Sequence, residues 1–239
     1  MSGPDYGQAF ARWRTAAGGD EPGPWQAYTQ HAFVNRLGDG SLPRASFLHY
    51  LRQDYVFLIH FSRAWALAAA KSETLDEMRA AAATVHALTH IEMPLHVQLC
   101  AAQGITAADL EATPEAPENL AYTRYVLEAG YSGDLLDLLA ALAPCVLGYG
   151  EIGARLKGAD TPYRHWVETY GGDDYQALCR DVGALIDGAI ERRLGSNWAA
   201  VPRWGSLCQR FTTATRLEVG FWGMSLAGET ETDPQVTGR

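Results

Sequence analysis

Three residues with chemical potential interrupt stretches that otherwise read as apolar helix faces. Cys145 lies within 139–153, LAALAPCVLGYGEIG, directly after Pro144 and one helical turn before Tyr149. Asp54 falls in the series Phe47, Leu51, Asp54, Leu58, Phe61 and Trp65, whose spacings alternate between four and three. Positions so spaced share one face of an α-helix. Glu218 sits in a similar series, Phe211, Thr215, Glu218, Trp222 and Ser225, with Phe221 beside it. A cysteine offers a nucleophile, and carboxylates offer proton transfer or polar recognition. An unpaired carboxylate is costly to bury, so each must find a partner or shift its pKa.

Each residue also has a plainer reading. Free cysteine is among the most often buried residue types and packs as a small hydrophobe. Asp54 and Glu218 can pair with Arg, Tyr or Trp donors. Three such residues on three helices favour a shared site, because bundles build their sites from facing helices. Pro144 removes a helical hydrogen bond and kinks the axis. Gly148 and Gly150 then thin the next turn, which either opens space beside Cys145 or lets another element approach closely.

The elements that must position these residues read as helices. Alanine and leucine are abundant and alternating β-branched runs are scarce. A loose lead-in covers 1–23, with a short helix at 10–17. Further helices are expected over 25–37, 43–71, 75–103, 120–129, 135–156, 162–169, 174–193 and 202–227. The segment GDGSLP at 38–43 is a turn signal, with Ser41 placed to cap the next helix. TPEAPENL, 113–120, reads as a proline-bearing loop and 228–239 as a tail. No repeat and no linker interrupts 24–227, so the chain is expected to be one all-α domain of about eight helices.

The 239 residues are 47% apolar, enough for a sizeable core. A formal charge of −9 argues against a protein held to nucleic acid by phosphate contacts, and the acidic surface serves solubility. The four cysteines, Cys100, Cys145, Cys179 and Cys208, form no C-x-x-C pair and read as reduced thiols. The N-terminal stretch lacks a signal-peptide core, and no apolar run is expected to reach the ~18 residues of a membrane helix. A cytoplasmic protein with no membrane partner is the expectation.

Taken in order, HAFVNRLGDGSLPRASFLHYLRQDYVFLIHF, IEMPLH, AYTRYV, LAALAPCVLGYGEIG, WVETYGG and EVGFWGM resemble the TenA/thiaminase II family. The resemblance runs over about 32–226 and implies the haem-oxygenase-like helical bundle. It also implies a hydrolase of thiamin salvage. Members release ammonia from 4-amino-5-aminomethyl-2-methylpyrimidine to give the hydroxymethyl pyrimidine, and some cleave thiamin itself. Carried onto this chain, the resemblance makes Cys145 the nucleophile, Glu218 the acid/base and Asp54 the carboxylate that binds the aminopyrimidine. Tyr149 matches a hydrogen-bonding position, Tyr122 and Tyr170 match ring-contacting aromatics, and Phe221 matches a site-lining position. Phe57 stands where the family pattern has a tyrosine, so one hydroxyl is missing. No metal or organic cofactor is implied, and the assembly implied is a homotetramer.

Two other readings compete. His86 with His90, and Glu92 with His96, have spacings that suit metal ligands, as a di-iron oxidase on this fold would need. The pairs point to different helix faces and no Glu-x-x-His motif occurs, so His96 is expected to support the site or satisfy a core hydrogen bond. No histidine stands out as a haem ligand. A non-catalytic pyrimidine- or thiamin-binding protein is the second alternative. Binding alone does not need the thiol of Cys145, whereas Phe57 favours this reading mildly.

Overall fold

A computed structural model describes residues 4–19 and 21–227. The described residues form helices and contain no strand. The helices are α1 (Gln8–Ala16), α2 (Pro24–Thr29), α3 (Ala32–Asp39), α4 (Arg44–Lys71), α5 (Leu75–Ala87), α6 (Met93–Ala102), α7 (Ala107–Glu111), α8 (Pro117–Ser132), α9 (Leu135–Leu156), α10 (Arg164–Gly171), α11 (Asp173–Leu194) and α12 (Pro202–Ala227). A single π-helical turn, Leu88–Glu92, joins α5 to α6, and a 3₁₀ turn, Trp198–Ala200, precedes α12.

The central element is α9, which packs against α4, α8, α10, α11 and α12. Eighteen of its 22 residues are buried, so it is apolar nearly all round rather than along one stripe. By length and composition it is long and apolar enough to cross a membrane, contrary to the expectation from sequence, but 89% of its apolar window lies inside the bundle. Asp137, the charge that interrupts this run, does two jobs at the edge of the core. It completes a capping box with Asp134, and it receives Arg203 and Arg210 from α12. That pairing ties the start of the central helix to the last one.

Several boundaries differ from those expected. The helix predicted over 25–37 is two helices, because His31 takes an extended conformation and its ring Nδ1 accepts the Phe33 N–H at 3.2 Å as the N-cap of α3. Histidine is not among the strongly preferred cap residues, so this break carries little sequence signal. Ser41 caps nothing; Pro43 precedes α4 and no side chain caps that helix. Gly40 does supply the left-handed turn, with φ +81°. The predicted lead-in is not wholly loose, since α1 buries Phe10 and Trp13. Glu151 of α9 holds that corner, taking Arg14 Nε at 2.9 Å and Trp25 Nε1 at 3.1 Å. The loop predicted at 113–120 ends early, because Pro117 opens α8 at its first position.

The helix predicted over 75–103 carries the π turn. Within it the Met93 N–H reaches the Leu88 carbonyl, five residues back. Pro94 follows at once and has no N–H to donate, so the α-helical ladder is already broken here and a wider turn costs less.

Candidate active site

The glycines after Pro144 admit neighbours. A Cβ on Gly148 would lie 2.3 Å from the ring of Tyr28, and one on Gly153 would lie 2.3 Å from the Tyr170 backbone. Tyr28 donates from Oη to the Pro144 carbonyl at 3.2 Å, and Tyr175 donates to the Val146 carbonyl at 3.2 Å. The backbone on both sides of Cys145 is therefore pinned from outside the helix.

Cys145 opens on a narrow internal cavity of about 40 Å³. That is room for a few waters and far below the ~300 Å³ of an open ligand pocket, so a ring-sized ligand must displace side chains. Asp54 and Phe57 of α4, Tyr149 of α9 and Tyr170 of α10 share the walls with Cys145. Tyr175 and Leu178 of α11 also line it, and Thr84, Leu88 and Glu92 close the side formed by α5 and the π turn. No lysine or arginine lines the cavity among the described residues.

Glu218, Tyr122, Phe221 and His96 form the layer behind these walls and do not line the cavity. Glu218 is buried, and its Oε1 accepts the Tyr122 hydroxyl at 2.8 Å. Phe57 bridges the layers, with its ring centroid 5.1 Å from Tyr122 and 5.4 Å from Phe221. Tyr149 stands against Tyr170 at 4.9 Å and Trp222 at 5.3 Å, giving the cavity an aromatic wall.

Asp54 is held by a relay. Its Oδ2 accepts the Tyr50 hydroxyl at 3.3 Å, and Tyr50 in turn accepts the Trp166 indole N–H at 3.1 Å. His96 faces the same carboxyl, with Nδ1 3.5 Å from Oδ2. Its Nε2 lies 2.8 Å from the Leu51 carbonyl. A carbonyl can only accept, so Nε2 carries a hydrogen and Nδ1 is the nitrogen turned to Asp54. Burial pushes the Asp54 carboxyl up to about 7 and lowers the His96 pKa. Within this pair a proton is thus favoured on Asp54 over the His96 ring.

Burial also pushes Glu218 up to about 8, against the hydrogen bond from Tyr122. The Cys145 thiol is held well above its usual range, first by burial and then by Glu218, Asp54 and Glu92. Nothing electropositive lowers it, in contrast to sites that store a thiolate. At neutral pH the resting group is a thiol.

Glu92 completes the cavity; the sequence marked it only as a possible metal ligand, by its spacing from His96, and not as a residue of this site. Its carboxylate accepts one long hydrogen bond, from Tyr170 Oη at 3.4 Å, and burial followed by the Asp54 charge raises it to about 7. The signal was Pro94, which marks the broken ladder that turns Glu92 inward. Tyr175 and Trp166 were also missed as site residues; neither interrupts an apolar pattern. His86 and His90 stack on the outer face with ring centroids 4.6 Å apart, while Glu92 and His96 turn to different partners inside. Among the described residues no group of three or more His, Cys, Asp or Glu is placed to hold a metal ion.

The all-α bundle thus gathers a thiol, buried carboxylates and aromatic walls at its centre. The profile of the TENA/THI-4/PQQC family matches residues 23–228, and the chain belongs to that family. It is 36% identical to an aminopyrimidine aminohydrolase of Halalkalibacterium halodurans, over 84% of this chain and 89% of that one. Among solved structures, a Silicibacter sp. protein described as a TenA family transcription regulator is 64% identical, with a TM-score of 0.89 over 92% of this chain and 97% of that one. The TenA homologue of P. horikoshii is 26% identical, with a TM-score of 0.81 over 92% and 99% of the two chains.

Proposed function

We propose that the protein is a thiamin-salvage hydrolase that converts 4-amino-5-aminomethyl-2-methylpyrimidine and water to the hydroxymethyl pyrimidine and ammonia. The observation that carries this reading is the Cys145 thiol opening on an aromatic-walled cavity with Asp54 and with Glu218 behind it. The aminopyrimidine aminohydrolase relative supports it.

The thiol adds across the electron-poor ring. A sulfur–carbon bond forms, and the thiol proton passes through Glu218 to a ring nitrogen, once the entering ring has displaced the side chains that stand between the cavity and Glu218. The electron pair of the dearomatised ring then expels the amine from the methylene carbon as ammonia. Water adds to the exposed methylene, giving the alcohol, and loss of the thiol restores the aromatic ring. A carboxyl near pKa 8 both gives and takes a proton near neutral pH, which suits this traffic. Asp54 reads the amino edge of the ring, and Tyr149, Tyr170 and Phe57 hold its faces. Thiamin presents the same pyrimidine with a thiazolium leaving group, so it is a second substrate for the same steps. The protein is further taken to be a cytoplasmic homotetramer that uses no cofactor.

Ammonia release is the test, with Cys145→Ser measured alongside. Release should fall by about 10³-fold or more in the variant. A variant that keeps the activity removes the thiol from the mechanism. Tight pyrimidine binding without ammonia release by the parent would make the protein a binding protein instead. The regulator description of the Silicibacter relative would gain weight only from DNA binding, which the charge of −9 opposes.

A further inference from the structure

The turn that carries Glu92 inverts the usual placement of polar and apolar side chains. Ile91 and Leu95 are 55% and 48% exposed, while Glu92 between them is turned inward to the cavity wall. An ordinary amphipathic turn would do the reverse. The inversion is built by the π turn, a feature frequent at functional sites. It places a third carboxyl at a cavity that already has Asp54 on its wall and Glu218 behind it.

These carboxyls have different surroundings. Asp54 is engaged by Tyr50 and faces His96. Glu218 is engaged by Tyr122 and does not line the cavity. Glu92 has the single 3.4 Å hydrogen bond from Tyr170, leaving acceptor capacity toward the cavity. No lysine or arginine on the described walls neutralises it. Burial raises this carboxyl to about 7, and a cation that enters with the ligand favours its ionised form and completes it.

We propose that Glu92, oriented by Tyr170, is the specificity-determining residue that binds a cationic substituent on the ligand. For the reaction proposed above, on which this inference rests, that substituent is the protonated aminomethyl group. The substrate carries it and the product does not, because replacing the amine by a hydroxyl removes the charge. Glu92 thus distinguishes the two at one position, holding the ammonium and releasing the neutral alcohol. Asp54 reads a part of the ring common to both and cannot make this distinction.

The experiment is titration calorimetry in the Cys145→Ser background, which removes turnover. The aminomethyl and hydroxymethyl pyrimidines are the two probes, each measured with Glu92 and with Glu92→Gln. Glutamine keeps the shape and the acceptor for Tyr170 while removing the charge. The expected result is an affinity loss of roughly 10- to 100-fold for the aminomethyl compound, with the hydroxymethyl compound changed less than about twofold. Unchanged binding of the hydroxymethyl compound also shows that the variant is folded. Equal losses for both compounds would make Glu92 a support of pocket shape and overturn the assignment, as would no loss for either. A Cys145→Ser protein that binds neither pyrimidine overturns the pyrimidine reading and this assignment with it. A protein that binds both but loses neither on Glu92→Gln overturns the assignment alone.

Discussion

Replacing Glu218 by glutamine should stabilise the protein in alkali while removing its activity. Burial raises this carboxyl from the ordinary 4.5 to about 8, against the Tyr122 hydrogen bond. The folded state therefore keeps a proton that the unfolded state loses. Since the folded state binds more protons over this range, stability falls as pH rises from about 4.5 to about 8 and then levels. At about 1.4 kcal/mol per pH unit, the full effect is of order 5 kcal/mol. That is comparable with the whole stability of many domains. Glutamine is neutral at every pH and can still accept the Tyr122 hydroxyl. Denaturant unfolding of the parent and Glu218→Gln at pH 5 and pH 9 separates the charge effect from the change of shape. Asp54 and Glu92 slope the stability of both proteins in the same direction, so the difference reports chiefly Glu218, together with its smaller coupling to the Asp54 charge. The variant should match the parent within about 1 kcal/mol at pH 5 and exceed it by several at pH 9. Equal gains at both pH values, or no gain at pH 9, would refute a buried carboxyl forced to hold its proton. Ammonia release should be lost in the same variant, which would tie a group that is costly to the fold to the proposed chemistry.

The other expectations follow from single contacts. Tyr122→Phe removes the hydrogen bond that lowers the Glu218 pKa, so the limb of the pH–rate profile set by Glu218 should move to higher pH; an unmoved profile would place that limb on another group. Gly148→Ala puts a Cβ 2.3 Å from the Tyr28 ring and should cost about 1–3 kcal/mol, read as a melting point lower by roughly 5 °C; an unchanged melting point would show that Tyr28 yields freely. Phe57→Tyr restores the hydroxyl that the family resemblance expects and should raise the rate of ammonia release. An unchanged or lower rate rules out the missing hydroxyl as a limit on turnover.

Much of the site was legible because its key residues break a pattern. Cys145, Asp54 and Glu218 interrupt apolar faces, and those faces define α9, α4 and α12, whose predicted spans 135–156 and 202–227 coincide with the observed α9 and α12. Periodicity reports which face a residue is on, so it found the residues that are polar on an inward face. It does not report depth, and nothing in the spacing said that Asp54 lines the cavity while Glu218, Tyr122 and Phe221 stand behind it. Nor could it give the charge state of Cys145, because a raised thiol pKa depends on carboxyls brought from other helices. The break at His31 and the inward turn of Glu92 were missed for a shared reason. Each depends on a backbone departure within a predicted helix, where an assumed 3.6-residue period assigns the wrong face.

The π turn at Leu88–Glu92 makes chain length here a form of information. Each residue of an α-helix advances the axis by about 100°, so the segments on the two sides of the turn are out of phase with one another. Removing any one residue between 88 and 92 would leave α5 seated as it is and rotate α6 by about that angle. His96 would then swing away from the Leu51 carbonyl and from Asp54, its present neighbours. A chain shortened by that one residue could keep its cysteine, its glutamates, its aspartate and its aromatics in the same order. Its inventory would look complete, yet His96 would face the wrong way.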